Sequence, residues 1–459
     1  MIKVENKKRI HFIGIGGISM SGLARIMISR GYTVTGSDLK GSNITDNLRK
    51  LGAIIYEGHS KSNINLADLV VYTAAIRKDN EEYQEAVRLG IPMLERSEFL
   101  GQIMKSYRYS INIAGTHGKT TTTSMISAIT LHANLNPTIH VGGELDLIGG
   151  NTLVGGEEYF ITEACEYVDS FLKFHPYTAL VLNIEEDHLD YFSGIEQIKD
   201  SFYKFISLVP EDGYIVGYLD DENVEEILNK EVRCKNVITY AIDNKKAKWR
   251  AINIAFDKNG HGSFDVVNNN EFCCRITLNV PGIHNIKNAL AAAVACLEMG
   301  ISSDDIVEAL KTFTGAHRRF EFKGEKNNVK VVDDYAHHPS EIKTTLKAAK
   351  NGNYNKVWCI FQPHTYTRTK TLFSEFLEAF YDADNIIITD IYAAREKDTG
   401  IVNSNMLAQG LHEKGVNAIY IKRFEDIVKY LKENVKENDL VLTMGAGDVY
   451  KIADMYLEK

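Results

Sequence analysis

Residues 109–133 read YSINIAGTHGKTTTTSMISAITLHA: an apolar, β-prone run, a glycine turn, then helical spacing. A buried strand that turns on glycine into a helix specifies a parallel sheet covered by helices, not a sandwich or a bundle. The same plan occurs at residues 9–38, where RIHFIGIGG leads through SGLARIMISRG to YTVTGSD, and AIIYEGH and DLVVYTAAI continue it. This first unit is expected to end near Tyr107. From about Gly315 a third set follows, with VKVVDDY, KVWCIFQP, NIIITDIY, NAIYI and DLVLTMGAG as strands separated by helical stretches. Residues 231–280 carry short β-prone runs and few helix signals, so an antiparallel flap is expected there, before an alanine-rich helix over 284–299. The expectation is an α/β chain of three domains, 1–107, 108–314 and 315–459, and 459 residues suffice for three cores.

The charge balance narrows the partners. Lys+Arg number 52 against 61 Asp+Glu, a net charge of −9, which argues against sequence-independent binding of nucleic acid. Six cysteines include no CxxC pair, so neither a disulfide framework nor a zinc site is expected. The opening MIKVENKKRIHFIGIGG lacks an apolar stretch ending in a cleavage site, and no run of about 20 apolar residues occurs. No membrane insertion and a cytoplasmic location are therefore expected.

The chemistry concentrates at strand ends. In Gly115-Thr116-His117-Gly118-Lys119-Thr120-Thr121, backbone N–H groups would cradle phosphate oxygens, Lys119 would offset β/γ-phosphate charge, and Thr120 or Thr121 would hold Mg²⁺. The first glycine lies three residues before Gly118 rather than five, which argues against a GTPase or helicase. Acidic partners for the cation are Glu163 and Glu166 in ITEACEYVDSF, and Asp187, His188 and Asp190 in NIEEDHLDYF. The earlier turn, with Gly14, Gly16, Gly17, Ser19 and Ser21 and with Asp38 at the next strand end, suits a phosphate and a ribose or base. It has Ser19 where the familiar dinucleotide pattern has glycine, and an NAD-dependent oxidoreductase reading leaves GTHGKT unexplained. In the third set, HRRFE, DDYAHHPSE and FQPHTYTRT lie at C-terminal strand ends, where open α/β sheets take ligands. The paired His337-His338 have no further His/Cys spacing to support zinc.

In order, HFIGIGGISMSGLA, GTHGKTTTT, EACEYVDSFL, NIEEDHLDYF, PGIHNIKNALAA, HRRFE, DDYAHHPSE, FQPHTYTRT and TMGAGD resemble the Mur ligases, ATP-dependent amide-forming enzymes of bacterial cell-wall precursor synthesis. The resemblance implies a Rossmann-like N-terminal domain for a UDP-sugar and a central P-loop-type ATPase domain with a parallel sheet plus a small antiparallel one. It also implies a Rossmann-like C-terminal domain. Gly14, Gly16, Gly17, Ser21, Asp38 and His59 then bind the UDP-sugar. Gly115, Thr116, His117, Gly118, Lys119, Thr120 and Thr121 hold ATP phosphates, and His284, Asn285 and Asn288 lie at its adenine. Arg319 and Asp334 reach its phosphate and ribose. Thr120, Glu163 and His188 hold Mg²⁺, and Lys119, His188 and Glu163 carry the catalytic load. Tyr335, His337, His364 and Arg368 line the amino-acid side.

The implied reaction joins L-alanine to the lactyl carboxylate of UDP-N-acetylmuramate through an acyl phosphate, by a monomer or homodimer. Many relatives have Arg where this chain has Thr365, and EADESD where it has EACEYVD. Lys204 lies in the region where several sister enzymes carry a carbamylated lysine; no such role is assigned to it here.

Overall fold

The computed structural model describes residues 8–189, 191–394, 396–398 and 400–458. Asp190, one of the acidic candidates, lies outside them. The chain forms two compact units. One takes the chain up to Ala251 with Val266–Cys274 and Asn288–Ala309; the other takes Ile252–Asp265, Arg275–Lys287 and Leu310 onward.

The first unit opens with a five-stranded sheet ordered Ile54–Glu57, Thr33–Asp38, Arg9–Ile13, Leu69–Tyr72, Met93–Glu95, all parallel. The short edge strand Met93–Glu95 was not legible as β, having only three residues. The second sheet has ten strands. Its parallel centre is ordered Asn236–Ala241, Tyr214–Tyr218, Thr178–Val181, Tyr109–Ala114, Tyr159–Glu163, Thr138–Leu145, and Gly150–Leu153 folds back antiparallel on its edge. The remaining three of its ten strands, Trp249–Phe256, His261–Asn268 and Glu271–Pro281, have most of their residues in the second unit and follow one another through tight turns that make them antiparallel. The flap expected from residue 231 therefore begins later. Asn236–Ala241 pairs parallel with Tyr214–Tyr218, because its alternating buried residues Ile238 and Tyr240 extend the central sheet.

One continuous apolar core joins the two sheets of this unit. Phe12 meets Phe99 edge-on at 5.7 Å, and Phe171 stacks on Phe205 at 4.6 Å within the same cluster. Helix Arg96–Met104 crosses the turn Tyr167–Lys173 at Gly101, where an added Cβ would run into the Lys173 carbonyl oxygen.

The second unit carries a six-stranded sheet ordered Glu321–Lys326, Val329–Asp334, Leu440–Met444, Val357–Phe361, Asn385–Ile388, Ala418–Tyr420. The five strands expected from sequence are parallel; the sixth, EFKGEK, is an antiparallel edge too polar to be recognised. Both faces are packed, one around Phe361, Phe376 and Phe380 and the other around Trp358, Ile360 and Ile452.

Gly101→Ala should lower the stability of this first unit by about 1–3 kcal/mol, since backbone cannot yield to the new methyl. The urea midpoint reads it; an unchanged midpoint would mean that the helix crossing is looser than described.

Candidate active site

Backbone geometry builds the phosphate loop. Gly115 and Gly118 have φ of 149° and 85°, a region L-residues avoid. A Cβ on Gly118 would sit 2.5 Å from Asn288 Oδ1, and one on Gly115 2.9 Å from the Leu182 Cβ. Asn183, just past strand Thr178–Val181, locks the loop: its Oδ1 accepts the His117 N–H at 2.8 Å and its amide donates to the His117 carbonyl at 3.0 Å. Thr116 Oγ1 accepts the Glu185 N–H at 2.9 Å. Helix Lys119–His132 then starts on Gly118 with no side-chain cap and no acidic residue in its first turn, leaving its positive end open to an anion.

Lys119 folds over this loop. Its ammonium donates to the Gly115 and Thr116 carbonyls and lies 3.1 Å from Glu166 Oε2. Burial opposes its charge, but Glu166 outweighs burial and holds the ammonium above the ordinary lysine range. His188 Nε2 is 3.9 Å from the other Glu166 oxygen, and its ring lies 4.6 Å from Tyr167. Lys119 and His188 thus converge on Glu166, which the sequence offers with Glu163 as an acidic partner for the cation and which the structure pairs with the loop lysine. Its signal was present in the EACE spacing, since two acids three residues apart past a strand end share one mouth.

Glu163 and Thr120 meet neighbouring residues of strand Thr138–Leu145. Glu163 Oε1 accepts the Gly142 N–H at 3.2 Å, and a Cβ on Gly143 would lie 3.7 Å from Thr120 Cγ2. The Thr120 hydroxyl and the Glu163 carboxylate are both hard oxygen donors, the chemistry that suits Mg²⁺. Thr121 is buried in the helix instead. Lys204 is exposed and paired with Asp200 at 2.7 Å.

The first glycine turn is equally constrained. Gly14 and Ile15 both donate to the Ser37 carbonyl, and Gly16 N–H donates to Asp38 Oδ2 at 2.9 Å. Asp38 therefore fastens the turn through one oxygen, its other accepting the Leu39 N–H. Gly17 opens helix Ile18–Ser29 without a side-chain cap, and Ser21 is tied to the Ile18 carbonyl. His59 Nδ1 lies 2.9 Å from Glu82 Oε2, and Glu82, fully buried, also accepts from Ser37 Oγ and Asn63 Nδ2. Burial opposes the Glu82 charge, yet hydrogen bonds from His11, Ser37 and His59 win and hold it down at about 2. Nothing in the sequence separates Glu82 from an ordinary surface acid in a helix's first turn.

The second unit gathers its own set. Arg318, not Arg319, is the structural arginine: it pairs with Asp333 at 2.8 Å, donates to the Gly445 and Gly447 carbonyls, and lies between Tyr335 and Tyr450. Arg319 is about a third exposed, with its guanidinium 5.3 Å from the Tyr335 ring. Asp334 accepts the Phe320 and Ala336 N–H groups, and burial pushes its carboxyl up to about 6. His337 meets Tyr335 and His364 edge-on at 5.4 and 5.8 Å, and His364 stacks on Tyr392 at 5.7 Å. Arg368 Nη1 lies 3.2 Å from His364 Nδ1; burial first and then Arg368 push that imidazole down to about 4. His338 caps helix Pro339–Lys350, its Nδ1 lying 2.8 Å from Ser340 Oγ. Asn285 donates to the Pro281 carbonyl, and the buried Nδ1 of His284 has no partner among the described residues.

Three family descriptions match in sequence order: the Mur ligase family catalytic domain over residues 9–108, the Mur ligase middle domain over 113–296, and the Mur ligase glutamate ligase domain over 318–447. A UDP-N-acetylmuramate–L-alanine ligase of Acetivibrio thermocellus is 60% identical over 451 residues, covering 98% of this chain and 96% of that protein. The chain belongs to the Mur ligases. Its architecture agrees: the crystal structure of the UDP-N-acetylmuramate–alanine ligase of Thermotoga maritima superposes with a TM-score of 0.82 at 30% identity, over 98% of each chain. A murein peptide ligase from Psychrobacter arcticus matches with a TM-score of 0.71 at 26% identity, again over 98% of each chain. The expected three α/β domains of a Mur ligase are thus present. No helix among the described residues is long and apolar enough to cross a membrane.

A carboxyl held below its unfolded value contributes stability that is complete above the unfolded pKa and is lost as pH falls through the folded one. For Glu82 that window runs from 4.5 down to about 2. The gap in urea midpoint between wild type and Glu82→Gln should therefore be widest near neutrality and narrow as pH drops below 4.5. A gap that stays constant down to about pH 3 would show that this carboxyl gains nothing from its charge.

Proposed function

We propose that this Mur ligase joins L-alanine to the lactyl carboxylate of UDP-N-acetylmuramate, converting ATP to ADP and phosphate, as a cytoplasmic step of peptidoglycan precursor synthesis by a monomer or homodimer. The observation that carries the reading is the Lys119 ammonium, set over a glycine loop and balanced by Glu166 beside His188, in a chain so close to a named alanine ligase. The lower identity to the murein peptide ligase favours a single amino acid over a peptide as the acceptor. Residues 1–107 take the UDP-sugar, 108–314 the ATP, and 315–459 the amino acid.

A carboxylate does not acylate an amine at neutral pH, because its oxygen is a poor leaving group. Transfer of the ATP γ-phosphoryl group to the lactyl carboxylate gives an acyl phosphate. Attack by the alanine amine then expels phosphate from a tetrahedral intermediate. Phosphoryl transfer needs chiefly positioning and charge neutralisation. Gly115 to Thr121 supply N–H donors to the phosphates, Lys119 leaves Glu166 to pair with them, and His188 offsets the charge of the approaching carboxylate. Mg²⁺, held by Thr120, Glu163 and His188, supplies further charge neutralisation on the phosphate oxygens when bound.

Asn288 lies against the loop, and the unpartnered Nδ1 of His284 offers a contact for the adenine. Arg319 and Asp334 reach ATP phosphate and ribose. The first turn binds the UDP diphosphate through Gly14, Gly16, Gly17 and Ser21, with Asp38 and His59 toward the uridine. Tyr335, His337, His364 and Arg368 receive the amino acid, Arg368 pairing with its carboxylate. The free amine must attack as a neutral nucleophile, and His364, held neutral near pH 7, does not repel it.

Phosphate release with UDP-N-acetylmuramate should depend on L-alanine above glycine, serine, glutamate or a tripeptide; preference for the tripeptide would reassign the chain to peptide ligation. Lys119→Ala should abolish that release with the fold intact by circular dichroism, and near-normal turnover would remove Lys119 from the chemistry. Arg368→Ala should raise KM for L-alanine far more than KM for ATP; equal changes would place it outside the amino-acid site.

A further inference from the structure

Ser19, which stands where the familiar pattern has glycine, is joined to the nucleotide half of its unit by a buried histidine. His140 Nε2 lies 2.9 Å from Ser19 Oγ, and its Nδ1 lies 2.9 Å from Thr152 Oγ1. One ring nitrogen donates and the other accepts, so both hydroxyls are fixed by one ring. Burial first and the Arg96 charge second push this imidazole down to about 3, so it is neutral at physiological pH. Arg96 itself donates to Ser19 Oγ at 3.3 Å.

The contact is close because helix Ile18–Ser29 presents Gly22 there. A Cβ on Gly22 would lie 2.7 Å from the His140 ring. Asn151, from the same hairpin as Thr152, adds a bond to the Ile18 carbonyl at 2.7 Å. The first turn of the helix that faces the sugar nucleotide is thus clamped by one hairpin, residues 138–153.

That hairpin also reaches the other site. His140 pairs in register with Thr162, the residue before Glu163. Two residues beyond His140, Gly142 N–H holds the Glu163 carboxylate, and Gly143 lies against Thr120. Only two residues separate His140 from Gly142, although the hairpin's register shifts between His140 and Leu145. A shift of the glycine-turn helix is therefore delivered through His140 to the strand that fixes Glu163 and Thr120.

We propose that His140 is a positioning residue that couples occupation of the first glycine turn by the sugar nucleotide to the Thr120–Glu163 end of the triphosphate site. The inference rests on the function proposed above and adds to it a route between the two substrates. Such coupling is reciprocal: each ligand must tighten the other by the same factor.

The test measures binding of β,γ-methylene ATP with Mg²⁺ by calorimetry, with and without saturating UDP-N-acetylmuramate, and the reverse titration. In the wild type the sugar nucleotide should tighten the analogue at least about fivefold, the lower end of common coupling factors. His140→Phe fills the same space without ring nitrogens and should bring that factor to within about twofold of unity, while each ligand alone binds within a few-fold of wild type. His140→Gln should retain most of the coupling. Ser19→Ala removes the other end of the bond without opening a cavity at His140 and should reproduce the loss.

Wild-type coupling in His140→Phe or in Ser19→Ala would overturn the inference while leaving the function intact. So would a wild-type factor near unity. Failure of the wild type to bind either ligand would bring down both readings.

Discussion

A buried cation must always have a partner. Lys119 is the clearest case in this chain, and the layout of the catalytic loop follows from it. Its ammonium is enclosed by the Gly115 and Thr116 carbonyls and by Glu166. Stranding a buried charge by removing its partner typically costs about 3–5 kcal/mol. On the function proposed above, a triphosphate would take Lys119 in exchange for Glu166 rather than in addition to it. Glu166 in turn is held near His188, so the exchange releases a carboxylate within reach of a second basic group. Affinity for the nucleotide is then a difference between two strong pairings, which keeps the site selective for a highly charged ligand without binding it irreversibly.

Glycine positions show how closely backbone and ligand-bearing side chains are fitted. Gly16 has no room for a Cβ because Asp38 Oδ2 would lie 2.8 Å away, and Gly142 is similarly close to Glu163 Oε2 at 3.0 Å. In both places a carboxylate is fixed by the backbone N–H of a glycine, and an added Cβ there would push that carboxylate aside. Fixing the acid through the main chain leaves its remaining oxygen lone pairs directed by the fold and not by a flexible neighbour. Such pre-orientation is the main resource for a reaction limited by charge placement.

The parallel sheets, the two glycine turns and the loop lysine were legible because each depends on short-range pattern: apolar run, glycine, helical spacing. Met93–Glu95 and Glu321–Lys326 were not, since an edge strand needs few apolar residues and its pairing is a tertiary event. Asn236–Ala241 was misassigned to the flap for a related reason. Its alternation is compatible with either partner, and only its pairing with Tyr214–Tyr218 decides. Among site residues, Glu166 could have been selected from its spacing to Glu163. Glu82, Asn183 and His140 could not, because their importance lies in what they touch 12 or more residues away. The choice between Arg318 and Arg319 is instructive. The two are adjacent and alike, and only the ring of Asp333, Gly445 and Gly447 around the first separates it from the second, which lies 3.8 Å from Glu341.

Thr365 shows how a local departure is absorbed. Where the family resemblance leads one to expect arginine, this threonine takes a left-handed conformation, φ 65°, and caps helix Tyr366–Thr371 by accepting the Arg368 N–H at 3.3 Å. Thr369 Oγ1 returns a bond to the Thr365 carbonyl, so the strained residue is secured from both sides. The cap orients the helix turn that carries Arg368, and Arg368 in turn lies against His364, itself stacked on Tyr392. One guanidinium held by a capped turn and an aromatic neighbour loses less freedom on meeting a carboxylate than two mobile ones would. On the function proposed above, the rigidity that the Thr365 cap gives the Arg368 turn would set how firmly the amino-acid carboxylate is held.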